Sequence, residues 1–240
     1  MENSPPLELV ATAASGLEAV VVRELGDLGY PAQVMRPGRI RFEADSAAIC
    51  RSNLWLRSAD RVLLQLAKFE ALDFDALFDT VREIPWESWI APTAAIPVRG
   101  KAVKSQLSSV PACQRTVKKA IVERLTSDQG WADLPETGCP VPVEVYLLND
   151  EATISIDTSG QGLHRRGYRT LVGPAQIRET LAAGLVQLSF WNPDRPLIDP
   201  FCGTGTVAIE AALLGRRIAP GTLRQFAAEH WPAMTASQWE

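Results

Sequence analysis

Residues 196–206 read Pro-Leu-Ile-Asp-Pro-Phe-Cys-Gly-Thr-Gly-Thr. Leu197–Ile198 reads as a buried strand that ends in an acid, Asp199. A Gly-x-Gly turn over Phe201–Thr206 follows, and then a helix predicted over Val207–Leu214. Such a turn exposes backbone N–H groups at a helix start and lets a ligand approach where no Cβ intrudes. It is the layout of a nucleotide-type cofactor site at the carboxyl end of a parallel strand. A dinucleotide fingerprint would need a third glycine where Ala208 stands, and a phosphate loop would need a Gly-Lys pair that is not there. An acid directly before the turn suits a ligand with an amino group and no phosphate. S-adenosylmethionine, whose methionyl end carries an ammonium, is such a ligand. An ordinary strand–turn–helix is the alternative on these residues alone.

The second chemical feature is the distribution of charge. The 240 residues carry a net −4, which by itself argues against a nucleic-acid binder. Between Arg99 and Arg124, however, seven basic residues meet only Glu123. Between Gln161 and Arg178 there are four arginines and no acid. Two basic stretches on an acidic background can attract a polyanion locally. Lys101, Lys104, Arg115, Lys118 and Lys119 in the first, and Arg165, Arg166 and Arg169 in the second, are the candidate contacts to such a polyanion, which the resemblance described below implies is RNA. The alternatives are a solvated helix face and a salt-bridged linker. Tyr168 could stack on a base, His164 reads as structural, and Trp55, Trp86 and Trp89 read as core.

The elements that must position these residues follow from periodicity. Leu7–Thr12 reads as a strand. Ser15 then caps a helix with Glu18 as its capping-box partner, and Leu17, Val21, Leu25 and Leu28 form the apolar stripe. Gln33–Met35 and Arg39–Phe42 flank the turn Pro37-Gly38. Asp45 begins a second helix, and Arg61–Phe69 returns as a strand with Val62, Leu64 and Leu66 on one face. This β-α-β-β-α-β order predicts a ferredoxin-like layer. Asp73 starts a third helix with Phe74, Leu77, Phe78 and Val81 inward. Ala94–Val98 is a predicted strand. Ser108 and Ser109 cap a helix with Pro111 in its first turn and Val117, Ile121 and Leu125 buried, which puts Arg115 and Lys119 opposite. Val141–Leu148 and Ala152–Asp157 pair around Asn149-Asp150. A helix over Gln176–Phe190 carries Ile177, Leu181, Leu185 and Leu188 at helical spacing.

Hydrophobic residues make up 46% and charged residues 22%, enough apolar surface for a packed core. No apolar run reaches the ~20 residues of a membrane helix, and Met1–Pro6 lacks the layout of a signal peptide. Cys50, Cys113, Cys139 and Cys202 form no C-x-x-C pair, so no metal site is expected. Free thiols and a cytoplasmic location are the expectation.

The sequence resembles the bacterial THUMP-domain methyltransferases that use S-adenosylmethionine. These modify the exocyclic N2 of guanine in 23S ribosomal RNA and are often labelled N6-adenine-specific DNA methylases. Asp199-Pro-Phe-Cys-Gly-Thr-Gly-Thr206 is similar to the family's first cofactor motif. Ala11-Thr12-Ala13 with Gly16-Leu17-Glu18, and Asn53 to Arg61, are similar to its N-terminal domain. Lys104-Ser105, Val110-Pro111 and Lys118-Lys119-Ala120 are similar to its THUMP region. Asp157 to Gly160 with Leu163 to Arg169 is similar to the crossing into the catalytic domain, and Thr180-Leu181-Ala182-Ala183 to a helix lining the cofactor pocket. The resemblance covers nearly the whole chain.

It implies an α+β fold over residues 1–69 (ferredoxin-like) and 70–160 (THUMP, RNA-binding), then the beginning of a Rossmann-like α/β methyltransferase domain over 161–240. It assigns Thr180, Leu181, Asp199, Phe201, Cys202, Gly203, Thr204, Gly205 and Thr206 to the cofactor. It also implies a later Asn-Pro-Pro-Tyr-type motif that holds the target amine and stacks on the flipped base. No Asn-Pro-Pro triplet occurs in these residues, so no catalytic residue is assigned. The chain reads as truncated at its C-terminus, inactive alone and weak or lacking in cofactor binding. A stand-alone RNA-binding module and a DNA N-methyltransferase are the alternatives.

Overall fold

The computed structural model describes residues 6–131, 133–169 and 176–239. Most of the Met1–Pro6 segment, and residues 170–175 of the second basic stretch, lie outside the described residues. The chain forms two compact units, Met1–Val62 with Gln161–Phe226, and Leu63–Gly160 with Ala227–Glu240.

The first unit opens with β1 (Leu7–Ala13), α1 (Glu18–Asp27), β2 (Ala32–Arg36), β3 (Arg39–Ala44) and α2 (Ala47–Trp55). Strand β4 (Ala59–Glu70) begins here and runs on into the second unit. β1 and β2 each pair antiparallel with β3, and the order is β2-β3-β1-β4, as a ferredoxin-like layer requires. Leu9, Ala11, Ile40 and Phe42 from the strands, Val21 and Leu25 from α1, and Ile49 from α2 are all buried. Ser15 does not cap α1, whose N-cap is Leu17 with no side-chain bond. Glu18 instead accepts from the amides of Gly16 and Gly38, each at 2.7 Å. Its own amide and that of Gly38 hold its carboxyl below the usual range. The carboxylate thus ties the helix start to the β2–β3 turn. Trp55, expected in the core, is exposed.

Two more helices complete this unit, α5 (Glu179–Leu188) and α6 (Thr206–Gly215). The leucine stripe of α5 faces outward: Leu181, Leu185 and Leu188 are exposed, and the buried residues are Glu179, Thr180, Ala182, Ala183, Gly184 and Val186. The reason lies at Gly184, where a Cβ would meet the Leu17 side chain at 2.6 Å. Small residues let α5 sit close on the ferredoxin-like layer, and the large ones are left on the far side. The strand expected at Leu197–Ile198 is not formed either. Ile198 is 84% exposed, and none of the described strands lies beside it to supply the ladder bonds a strand needs.

The second unit holds the rest of β4 with α3 (Phe74–Glu83), β5 (Val98–Val103), α4 (Val110–Glu123), β6 (Val143–Leu148) and β7 (Glu151–Asp157). The strand order is β4-β7-β6-β5. β7 is antiparallel to β4 and β6, and β5 is parallel to β6. A register shift between Gln65 and Ala67 interrupts the strict alternation expected of β4. Asp73 caps α3, accepting from the Ala76 amide at 2.8 Å. Leu77 and Val81 are buried, whereas Phe74, expected inward, is exposed. The strand expected at Ala94–Val98 lies further along, because Pro97 has no N–H to give to a ladder; Ala94 makes one isolated bridge to Gly138. Asn149 and Asp150 take φ of 51° and 65°, the hairpin turn that joins β6 to β7. Residues after Phe226 also belong here: Ala228 N donates to Thr158 O at 3.1 Å, and Trp231 meets Trp89 edge-on at 6.1 Å. Among the described residues no helix is long and apolar enough to cross a membrane.

Candidate functional site: a glycine turn and its buried support

The turn that opens α6 is built by local bonds. Asp199 Oδ1 accepts from Phe201 N at 3.2 Å, and Gly205 N donates to Cys202 O at 2.7 Å. Gly203 and Gly205 have φ of 52° and 75°, which other residues adopt only with strain. A Cβ at either would meet nothing within 4 Å, so the backbone there faces open space. Phe201 is 94% exposed, and Cys202, Gly203 and Thr204 are exposed beside it. Thr206 is buried: its Oγ1 accepts from Arg169 Nη2 at 2.7 Å and lies 3.3 Å from Thr204 Oγ1. Thr180 is buried and donates to Asp60 Oδ1 at 2.9 Å, while Leu181 next to it is exposed.

Behind the turn, α6 is fastened by a buried charge cluster. Tyr168 OH donates to Glu210 Oε1 at 2.9 Å, and Arg166 Nε lies 3.6 Å from the same oxygen. Arg166 also donates to the carbonyls of Leu163 at 2.7 Å, Leu56 at 3.5 Å and Arg57. Arg57 Nη2 donates to Ile218 O at 2.8 Å. Burial pushes the Glu210 carboxyl up, against the pull of Arg166, Tyr168 and Arg57. Burial also lowers Arg57, and burial with the neighbouring Glu210 carboxylate raises Tyr168.

Arg166 was expected to contact RNA. It is instead closed off from solvent, with its N–H groups turned inward to carbonyls. Arg169 is also spent largely on the fold, pairing with Glu179 at 3.4 Å and with Thr206. Arg165 alone of the three is exposed. The residues that the sequence reading passed over are Glu210, Glu179, Asp60 and Glu24. Glu210 left a visible mark, as a lone acid in the apolar helix TVAIEAALLG. The others left none.

The first basic stretch is divided between β5 and α4. Lys101 and Lys104 are exposed, with Lys101 Nζ 6.0 Å from the centre of the Tyr146 ring. On α4, Arg115 and Lys119 face outward, opposite buried Cys113, Val117 and Ile121. Lys118 is partly committed: its ammonium bonds Ile96 O at 3.0 Å and Glu136 Oε1 at 2.6 Å. That ammonium, with the Ile96 amide, holds the Glu136 carboxyl below its ordinary range. Arg115, Lys118 and Lys119 rim an open groove floored by Ile96, Val98 and Val122. All four cysteines are free. No cluster of three or more His, Cys, Asp or Glu among the described residues could hold a metal ion.

Comparison with known proteins finds similarity in each of three segments. Residues 8–63 match the RlmL ferredoxin-like domain, 71–157 the THUMP domain and 166–239 the RMKL-like methyltransferase domain. The chain is 54% identical over 233 residues to YpsC of Bacillus subtilis (strain 168), named a putative RNA methyltransferase. It is 33% identical over 235 residues to slr0064 of Synechocystis sp. (strain ATCC 27184 / PCC 6803 / Kazusa), named likewise. These matches take in 96% and 95% of this chain and 60% of each relative, so the chain spans about 60% of the length of those curated relatives. Among solved structures, a predicted N6-adenine-specific DNA methylase from Listeria monocytogenes str. 4b F2365 superposes with a TM-score of 0.92 at 52% identity, over 98% of this chain and 62% of that one. SMU.472, a putative methyltransferase complexed with SAH, superposes at 0.91 with 44% identity over the same shares. In three consecutive segments the chain is thus similar to an RlmL-type ferredoxin-like domain, a THUMP domain and an RMKL-like methyltransferase domain.

Proposed function

We propose that this chain is the RNA-gripping and donor-side portion of an S-adenosylmethionine-dependent RNA methyltransferase. Its domains follow the boundaries 1–69, 70–160 and 161–240, it works in the cytoplasm, and its target is guanine N2 in 23S ribosomal RNA. The open backbone at Gly203 and Gly205 carries this reading. Bare amides at a helix start suit the carboxylate of a methionyl tail. The half-exposed Asp199 carboxylate suits its ammonium. When bound, the sulfonium supplies an electrophilic methyl group. The Arg169–Thr206 bond and the Glu210 cluster hold the helix start in place. Lys101, Lys104, Arg115 and Lys119 grip phosphates without reading sequence, and Lys118 and Arg165 add to them.

With no Asn-Pro-Pro triplet to hold a target amine, the 240 residues alone transfer no methyl group. Tritiated-methyl incorporation into ribosomal RNA by this chain would overturn that statement. For the whole protein, deletion of its gene should remove one N2-methylguanosine from 23S RNA, read by mass spectrometry of the nucleosides. An unchanged nucleoside profile would sink the target assignment. The near-complete exposure of Ile198 and Phe201 favours a second reading, an RNA-binding module without donor binding. Calorimetry with S-adenosylhomocysteine separates the two. The Listeria relative's description as a DNA methylase favours a third, and competition between structured RNA and duplex DNA decides it.

A further inference from the structure

Phe190 follows α5 in a backbone conformation that bulky residues avoid. Its φ is 53°, the left-handed turn that glycine normally supplies after a helix. A phenylalanine there costs free energy. Its ring gains little burial in return, since the side chain is 72% exposed. The Arg23 guanidinium, from α1, lies 5.7 Å from the ring centre. The segment behind the ring is closed by its own bonds. Arg195 Nη2 donates to Phe190 O, Trp191 Nε1 donates to Arg195 O at 2.9 Å, and Trp191 N donates to Ser189 Oγ at 3.3 Å. The ring is thus held outward on a set loop before any ligand arrives.

Trp191 joins this loop to the end of α6. A Cβ on Gly215 would stand 3.1 Å from Trp191 Cη2, so the indole packs on bare backbone there. Arg216 and Arg217 follow at once, and both are exposed. Within this unit the ends of α5 and α6 therefore bring together two aromatic rings and the exposed side chains of Arg23, Arg195, Arg216 and Arg217. Among the described residues none of the four has a carboxylate partner. The acids on the same segments are Asp27 and Asp194, so positive charge is in excess. A helix C-terminus carries about half a negative charge, which accounts for one arginine and not for four.

We propose that this patch is a second RNA contact, in which an unpaired base stacks on Phe190 and the arginines take the phosphates on either side. The assignment to RNA rests on the reading given under Proposed function. An exposed ring set among guanidinium planes is the chemistry that takes splayed-out bases, because every base has a π-face and every linkage a charge. The excess of arginines favours a polyanion over a protein surface. The patch lies apart from the glycine turn, and neither Phe190 nor the four arginines bonds to it.

The test is fluorescence anisotropy of two labelled RNAs with the 240-residue chain, a hairpin with a single-stranded loop and a blunt duplex. Phe190→Leu keeps an apolar side chain and removes the π-face. It should weaken binding of the hairpin about tenfold and leave the duplex unchanged. Arg216→Gln with Arg217→Gln should weaken both and lower the slope of log K against log salt by about 1–2. These residues are exposed, so the urea midpoint should stay in place. Ultraviolet crosslinking of the parent chain to the hairpin should label the peptide that carries Phe190. Arg115→Ala reports on the RNA reading independently. If RNA binds and responds to Arg115→Ala while the patch variants and the crosslink show nothing, the patch is wrong and the RNA reading stands. If the chain binds no RNA, that reading fails and takes the patch with it. If the arginine pair weakens binding and Phe190→Leu does not, base stacking is overturned. If the variants abolish self-association in sedimentation and leave RNA binding alone, the surface serves a second copy of the chain and the proposal is wrong.

Discussion

The Arg166 guanidinium lies 3.6 Å from the Glu210 carboxylate, and both side chains are shut away from water. The pair ties the loop that follows Gly162 to the middle of α6. Through α6 it sets the glycine turn, whose last glycine, Gly205, lies five residues upstream of Glu210. Removing one member of a buried pair leaves the other charge without compensation, which costs about 3–5 kcal/mol. Arg166→Ala also strands the carbonyls of Leu163 and Arg57. Urea unfolding followed by fluorescence should show a loss of that size. A loss under about 1 kcal/mol would mean the pair is solvated, as surface pairs are.

Glu24 is a buried acceptor at the junction of α1, α5 and the start of β4. It receives the amides of Arg57 at 3.0 Å and Ser58 at 3.2 Å, the Ser58 hydroxyl at 2.9 Å, and the Gln187 amide. Each buried donor left unsatisfied costs about 1–3 kcal/mol. Glu24→Ala should therefore destabilise the first unit by more than about 2 kcal/mol, and Glu24→Gln, which keeps one oxygen, by less. Equal losses in denaturant titration would argue that packing, not acceptance, is what Glu24 supplies.

Lys118 and Glu136 form a pair whose removal should act on RNA binding and stability in opposite senses. Glu136→Gln deletes a negative charge from the groove rim and releases Lys118, so RNA affinity should rise and the salt slope steepen by about one. The same change removes a carboxylate whose affinity for protons is lower folded than its ordinary 4.5. Such a group stabilises the fold above about pH 4.5, and the stabilisation fades as pH falls through the folded value. The stability gap between parent and variant should hold steady at neutral pH and close in acid. A gap that grows in acid contradicts the assignment.

The glycine turn was legible because its geometry is local: Asp199, Gly203 and Gly205 need no distant partner to form it. The ferredoxin-like layer was legible because hydrophobic periodicity and the turn at Pro37-Gly38 agreed. What the chain hides is which face a helix presents. Leu181, Leu185 and Leu188 keep perfect spacing, yet the small face holding Ala183 and Gly184 is the buried one, since close approach to Leu17 outweighs side-chain size. Arg166 was equally opaque. A basic residue among basic residues reads as a polyanion contact, and only the carbonyls of Leu56, Arg57 and Leu163 around it show otherwise. β5 began late because Pro97 outranks the apolar run before it.

Ile198 decides between the strand read at Leu197–Ile198 and the open segment in the structure, and Phe201 tests the exposure of the turn that follows. A buried strand residue replaced by serine would lose the transfer energy of its side chain and leave a cavity, about 2–5 kcal/mol. At 84% and 94% exposure there is nothing to lose, and surface changes stay within about 0.5 kcal/mol. Ile198→Ser and Phe201→Ser in the 240-residue chain should therefore leave the urea midpoint in place. They should also reduce self-association in sedimentation, because with exposed Leu181, Leu185 and Leu188 they add to the apolar surface of this unit. If Ile198→Ser lost several kcal/mol, the segment before the turn would be packed as a strand in solution. Asp199 would then be held by a ladder and not by its own bond to Phe201.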